Sequence, residues 1–302
     1  MAVVGCETIR SDMTAEPPLP TDPLHALVTR EIAAAGGWLG FDDFMALALY
    51  APGLGYYTRG ATVFGAMPQG LRDASGQLAG AGSDFVTAPE LSPLFGWTLA
   101  RQVAQALQAT GTDEVWEFGA GSGALALQLL DALKAQGVVL RRYTIVDLSA
   151  TLKARQQARL VAHADVVQWA SELPVQMQGV VVGNEVLDAM PVKLLARVQG
   201  VWHERGVAWD SAAGILAWAD RTTDLRPPME GEGSHDYLTE LHQQGEAFVR
   251  TLGERLTRGA AFLVDYGFPE SEYYHVQRHM GTVMCHRAHQ ADADPLVEVG
   301  QK

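Results

Sequence analysis

The run Glu117-Phe118-Gly119-Ala120-Gly121-Ser122-Gly123 sits where an apolar stretch, 115–118, gives way to helix-compatible residues from Ala124. Glycines at a strand-to-helix turn let bare backbone approach a ligand, and the amides opening the next helix then face it, which suits a nucleotide-like cofactor. The same glycines also serve a turn that binds nothing. Because Gly119 to Ala124 satisfies GxGxxA, NAD stays open on the glycines alone. Glu117 separates the candidates. A carboxylate on the last turn of the strand binds the ammonium of an amino-acid-bearing cofactor, directly or through water, whereas a pyrophosphate brings negative charge. That favours S-adenosylmethionine, held by Glu117, Gly119, Ala120, Gly121 and Gly123.

Asp147 closes the next apolar run, 143–147, where an acidic acceptor grips two vicinal ribose hydroxyls; it equally serves as the N-cap of a helix beginning near Ser149. Leu148 belongs to the same cofactor-contacting stretch. A third cluster, Asn184-Glu185-Val186-Leu187-Asp188-Ala189-Met190-Pro191, follows the apolar run 180–183, so its polar groups emerge at the same sheet edge, with Asn184 toward the cofactor. If Glu185 opens a short helix, Asp188 lies three residues on along the same face, and both carboxylates meet one cation. The alternative is helix capping and dipole compensation.

These clusters need a scaffold that brings strand ends to one edge. Short apolar runs alternate with helix-like segments: 115–118 then 124–133, 143–146 then 150–163, and 166–169 before 180–183. That alternation predicts a parallel sheet in a doubly wound α/β domain, with its ligand crevice at the carboxyl ends of the strands near the topological switch point. Upstream, Leu24, Leu27, Val28, Ile32 and Ala35 recur at helical spacing and end at Gly36-Gly37, and Asp42-Asp43 are set to cap a second helix over 44–50. Residues 92–110 predict a longer helix closed by Gly111. Thr87 and Glu90, just before it, are placed to cover the cofactor or complete an acceptor pocket, and Tyr56 and Tyr57 read as an aromatic wall or as buried anchors. Downstream, 192–220 reads as an inserted antiparallel β arm with turns at Gly200, Gly206 and Gly214. An amphipathic helix over 237–256 is expected next, then a core strand over 260–264 ending in Asp265-Tyr266-Gly267.

The domain layout is thus a flexible leader over 1–23, with four prolines in 14–23; a helical N-terminal region and lid over 24–110, containing a Gly-, Ala-, Ser- and Gln-rich excursion at 60–82; and a Rossmann-like core over 111–302. With 302 residues, 48% apolar and 19% charged, the chain has the material for a large core. Its net charge of −13 opposes non-specific binding to nucleic acid or anionic membranes. No apolar run approaches the roughly 18 residues of a membrane span, and residues 1–20 lack a basic start followed by an apolar stretch, so a cytoplasmic location is expected. Cys6 and Cys285 are too few for a disulfide framework, and the nine histidines show no metal-binding spacing, so no metal is expected.

Taken together, the sequence resembles the MidA-like family of S-adenosylmethionine-dependent methyltransferases, which includes a mitochondrial arginine methyltransferase acting in respiratory complex I assembly. The resemblance spans about 24–302 and rests on residues 50–57, 84–96, the glycine turn, the Asn184 cluster and Asp265-Tyr266-Gly267. It implies a Rossmann-like class I methyltransferase fold with an N-terminal helical extension and an inserted β region, and methylation of arginine on a protein substrate. On that reading Glu185 and Asp188 are the catalytic carboxylates, since a guanidinium stays charged and needs its fork bound and a proton received. Tyr57, Thr87 and Glu90 are lid or substrate residues. The rival readings are a small amine or other acceptor, or a non-catalytic assembly factor retaining a nucleoside pocket. The chain departs from the family in having Ser83 where glycine is common, Asp147 where glutamate is common, a longer 60–82 excursion and a shortened 285–289. Family members usually continue past the position of Lys302, which implies a catalytic domain extending further.

Overall fold

The computed structural model describes residues 22–58, 87–147, 150–229, 235–287 and 290–302. The chain opens with α1 (Pro23–Ala34), started by Pro23 at its first position and by Asp22, whose carboxylate accepts from the Leu24 amide at 3.0 Å. It buries Leu24, Val28 and Ile32 on one face. A two-residue strand β1 (Leu39–Gly40) leads into α2 (Phe41–Tyr50). This helix starts three residues earlier than its spacing suggests, so Asp42 and Asp43 lie inside its first turn and Gly40 is the cap. There the two acids favour the helix dipole, and Asp42 also takes a salt bridge from Lys193 at 3.0 Å.

The short α3 (Ala88–Leu91) precedes α4 (Pro93–Thr110). Ser92 caps α4 through its hydroxyl, 3.2 Å from the Leu94 amide, and Gly111 ends it at φ 61°. Then come β2 (Glu114–Phe118), α5 (Ala124–Ala135), β3 (Arg142–Val146), α6 (Ala150–Arg159), β4 (Val167–Ala170) and β5 (Met177–Asn184). These strands, joined by the later β10, form a five-stranded parallel sheet in the order β10-β5-β2-β3-β4. From β2 the chain moves outward to β3 and β4 and then crosses to β5 on the other side of β2, so the switch point lies between β2 and β5. Register brings Phe118 level with Val146 and Gly183, which sets the three candidate clusters side by side at one edge. Packing of α4 and α5 on the sheet buries Val103, Leu129, Tyr143, Ile145 and Val180 in the main core.

The expected β arm is larger than 192–220. Strands β6 (Lys193–Val198), β7 (Val201–Asp210), β8 (Ile215–Thr222) and β9 (Tyr237–Leu241) form an antiparallel sheet that also takes in β1, with order β1-β7-β6-β9 and β8 on β7. It does not stand free. Leu194, Val207 and Leu216 pack with Leu24, Val28, Ile32, Phe41 and Phe44 in a second core. The helix expected over 237–256 is correspondingly corrected: its first five residues are β9, paired with β6 from Leu241↔Lys193 to Tyr237↔Arg197, and only α7 (Gln243–Arg255) is helical. A short apolar run is ambiguous by period alone, and the open edge of β6 decides it. The chain then returns to the parallel sheet as β10 (Leu256–Val264), followed by α8 (Glu270–Tyr273) and the antiparallel pair β11 (Cys285–Arg287) and β12 (Gln290–Asp292).

Candidate active site

The glycine turn emerges from β2 with Gly119, Gly121 and Gly123 at φ 62°, 52° and 82°, left-handed conformations that a side chain would strain. At Gly119 a Cβ would also come within 3.2 Å of Val186 Cγ2, so the bare backbone keeps the cleft open there. Just before the turn, Glu117 is 1% exposed, and the Tyr143 hydroxyl donates to its Oε2 at 2.6 Å. Burial pushes its carboxyl up from 4.5 to about 7, with a smaller push from Asp147, against the opposing Tyr143 hydrogen bond. A buried carboxyl of this kind is strengthened by a cation brought to it.

Asp147, at the end of β3, is held by Gln156 on α6, whose Nε2 donates to Asp147 Oδ2 at 2.9 Å and to the Gly121 carbonyl at 3.0 Å. The Trp169 indole donates to Gln156 Oε1 at 2.8 Å, so one fully buried amide ties Asp147 to the glycine turn with its own polar groups satisfied. Leu148 lies outside the described residues.

On the other flank, no helix begins at Glu185. Its φ of 53° puts it in the left-handed region, and its amide donates to Val264 of β10 at 2.8 Å. That backbone is unusual for a glutamate and turns the chain sharply off the sheet edge. The turn is then clamped from three sides. Asp265 Oδ2 accepts from the Leu187 and Asp188 amides at 2.8 and 3.2 Å. Since Gly245 N–H donates to His242 Nδ1 at 2.9 Å, the His242 proton sits on Nε2, which donates to the Leu187 carbonyl at 2.8 Å. The Tyr50 hydroxyl donates to the Ala189 carbonyl at 2.6 Å. Asn184 Nδ2 donates to Glu185 Oε1 at 3.2 Å. Partial burial first, then Asp265 and Glu185, raise the Asp188 carboxyl from 3.8 to about 6.

Of the residues expected as lid or substrate candidates, Glu90 and Tyr57 are tied in as well. The Glu90 carboxylate accepts from the Ser122 hydroxyl, and Arg159 Nη1 reaches Ser122 Oγ at 2.5 Å and Glu90 Oε1 at 3.3 Å. Gln128 Nε2 donates to the Pro89 carbonyl at 2.7 Å, which anchors α3 over α5. Tyr57 stacks on Tyr50 with ring centroids 5.5 Å apart.

One cleft of about 910 Å³ gathers these groups. Its walls include Glu117, Gly119, Ala120, Gly121 and Asp147 on the cofactor side, and Asn184, Glu185 and Asp188 opposite. Tyr57, Thr87 and Glu90 complete the rim. Gly123 turns the chain into α5 and is not on the wall. Tyr50, Leu125, Leu152 and Val186 add apolar surface. Glycine backbone, two separated carboxylates and apolar walls are chemically compatible with S-adenosylmethionine. Four supporting residues carry no mark in the sequence: Tyr143, Gln156, His242 and Asp265 in its clamping role. Only the stop at Asp265-Tyr266-Gly267 after an apolar run hints at the last.

Residues 98–302 match the family described as "Putative S-adenosyl-L-methionine-dependent methyltransferase". In sequence the chain is similar to "Protein arginine methyltransferase NDUFAF7, mitochondrial" of Homo sapiens, 24% identical over 282 residues, and to its Caenorhabditis elegans homolog, 24% identical over 288 residues. The matches cover 82% and 85% of this chain but 60% and 65% of those proteins, so the chain spans less than two thirds of these relatives. In structure it is similar to a Burkholderia thailandensis "likely methyl transferase" bound to S-adenosyl-homocysteine, at 50% identity and TM-score 0.82, covering 95% of this chain and 75% of that one. The matched region, the parallel sheet and the cleft at its switch point agree: the chain belongs to the MidA-like family of S-adenosyl-L-methionine-dependent methyltransferases.

Proposed function

We propose that the protein transfers a methyl group from S-adenosylmethionine to an arginine side chain of a protein substrate. The observation that carries this reading is the single cleft lined by Glu117 and Asp147 on one side and by Glu185 and Asp188 on the other. Bound there, the cofactor supplies an electrophilic methyl group, whose transfer needs an in-line nucleophile at about 3 to 3.5 Å and little covalent help from protein. Glu117, once ionised, holds the ammonium; Asp147, braced by Gln156, accepts from ribose hydroxyls; the glycine turn lets backbone lie against the nucleoside. Glu185 and Asp188 bind the guanidinium fork and exclude competing positions of the attacking nitrogen. As that nitrogen gains carbon it gives up a proton, and Asp188, with a carboxyl near 6, is suited to receive it and release it to water at neutral pH. The arginine acceptor is supported by the acid pair and by the names of the distant relatives.

The test has two parts. Calorimetric titration with S-adenosyl-homocysteine is expected to give binding that Gly121→Val abolishes, because a β-branched residue at φ 52° both strains the turn and fills it. Tritiated methyl transfer to an arginine-rich peptide, with its lysine counterpart as control, is expected for the wild type and lost in Glu185→Gln and Asp188→Asn. Cofactor binding without transfer to any guanidino acceptor would leave a small amine as the substrate. Full cellular function in both acid variants would leave a binding-only role.

A further inference from the structure

A second cavity of about 1160 Å³ adjoins the cofactor cleft. Tyr57, Glu185, Asp188 and Ala189 line both, so they form the partition between them. On its far side the second cavity is walled by α2, with Phe44, Met45, Ala48 and Leu49, together with Tyr56. Val283 and Met284 close it from the opposite side. It is therefore an apolar passage with two carboxylates at its inner end. We infer that this passage admits the acceptor arginine of a protein substrate, its methylene stem against the α2 wall and its guanidinium at Glu185 and Asp188. The inference rests on the proposed function and names the acceptor half of that site.

The chemistry favours this occupant over others. Burying three methylenes along apolar side chains is favourable, while a cation at the inner end answers two carboxylates, of which Glu185 also accepts from the Tyr266 hydroxyl in the same wall. Among the described residues, the basic side chains lining the passage are His286, which is exposed, and Lys302, whose ammonium is bound to Asp292 and whose side chain is 4% exposed. A planar fork serves two separated carboxylates better than a point charge does. A third cavity of about 1580 Å³ also touches Asp188, but among the described residues its walls do not include Glu185. Two of its three further acids are engaged, Glu240 by the Thr282 and Val283 amides at 2.6 and 3.1 Å and Asp265 by the 187–188 turn, and the third, Glu246, lies on α7. Only the second cavity presents the acid pair together at the boundary with the cofactor cleft. Met45 and Leu49 lie one helical turn apart on α2, at i and i+4, so both project along the same wall.

The test uses the full chain saturated with S-adenosyl-homocysteine and two small cations, n-propylguanidinium and n-butylammonium, with binding followed by NMR titration. The guanidinium is expected to bind several-fold more tightly than the ammonium, and to lose at least tenfold in Glu185→Gln and in Met45→Trp. Leu49→Trp is a second, independent block with the same expected loss. In both tryptophan variants the affinity for S-adenosyl-homocysteine is expected within twofold of wild type, which also reports that they are folded. Unchanged guanidinium binding in both blocked variants overturns the route, and equal binding of the two cations, or none, overturns the choice of occupant. Failure to bind S-adenosyl-homocysteine at all would instead sink the proposed function.

Discussion

Replacing Glu117 by glutamine keeps the shape of the side chain and an oxygen for the Tyr143 hydroxyl but removes the charge. The wild-type carboxyl is raised from 4.5 to about 7 in the folded chain. Between those values the folded chain keeps a proton that the unfolded chain has given up. The stability this group contributes is therefore fully present below about 4.5 and is lost as pH rises toward 7. Linkage over these two values gives a loss of about 2 to 3 kcal/mol between pH 5 and pH 8. Urea unfolding at both pH values, for wild type and Glu117→Gln, isolates it: the wild type is expected to lose about 2 to 3 kcal/mol more than the variant, whatever the new amide costs at both. The ligand gives the second half of the test. If only the ionised carboxylate attracts the cofactor's ammonium, wild-type affinity for S-adenosyl-homocysteine rises about tenfold from pH 6 to pH 8, and the variant's does not. Equal pH dependence of stability in the two proteins would refute the reasoning, because the buried carboxyl would then titrate as if exposed.

Other consequences follow from the clamps around the cleft. Gln156→Leu removes the ties to Asp147 and Gly121 and strands the Trp169 indole N–H, so it is expected to cost about 1 to 3 kcal/mol in urea unfolding and about tenfold or more in calorimetric affinity for S-adenosyl-homocysteine. Asp265→Ala releases two amides of the acidic turn and is expected to lower methyl transfer by about tenfold or more with cofactor affinity unchanged. Asp265→Asn keeps an acceptor for those amides but removes a negative charge beside Asp188. The acid limb of its pH–rate profile is expected to move below about 6, toward lower pH, with little loss at the plateau.

Much of the site was legible because its chemistry is local. A strand ending in an acid, a turn of alternate glycines and a helix start are written within eight residues, 117–124, and the structure sets them as their types demand. The ends of β3 and β5 were legible for the same reason: apolar runs stop at Asp147 and Asn184, and parallel pairing brings those stops level. Glu185 and Asp188 line the same cavities, but not through the helical spacing that the sequence suggested. The helix that would have aligned them is replaced by a left-handed residue and a clamp from Asp265, 77 positions from Asp188.

Residue type and short-range spacing were therefore enough for the parallel sheet and for the level strand ends that carry the glycine turn, Asp147 and Asn184, since each depends on neighbours a few positions away. Tertiary structure alone made Tyr237–Leu241 a strand, because the free edge of β6 outweighs a weak helical period. It alone gave Gln156, Tyr143 and His242 their roles, since a polar side chain acquires one only when a distant element buries it against a specific partner. It also brought α2 against residues 283–286, so that an apolar passage ends at two carboxylates contributed by neither.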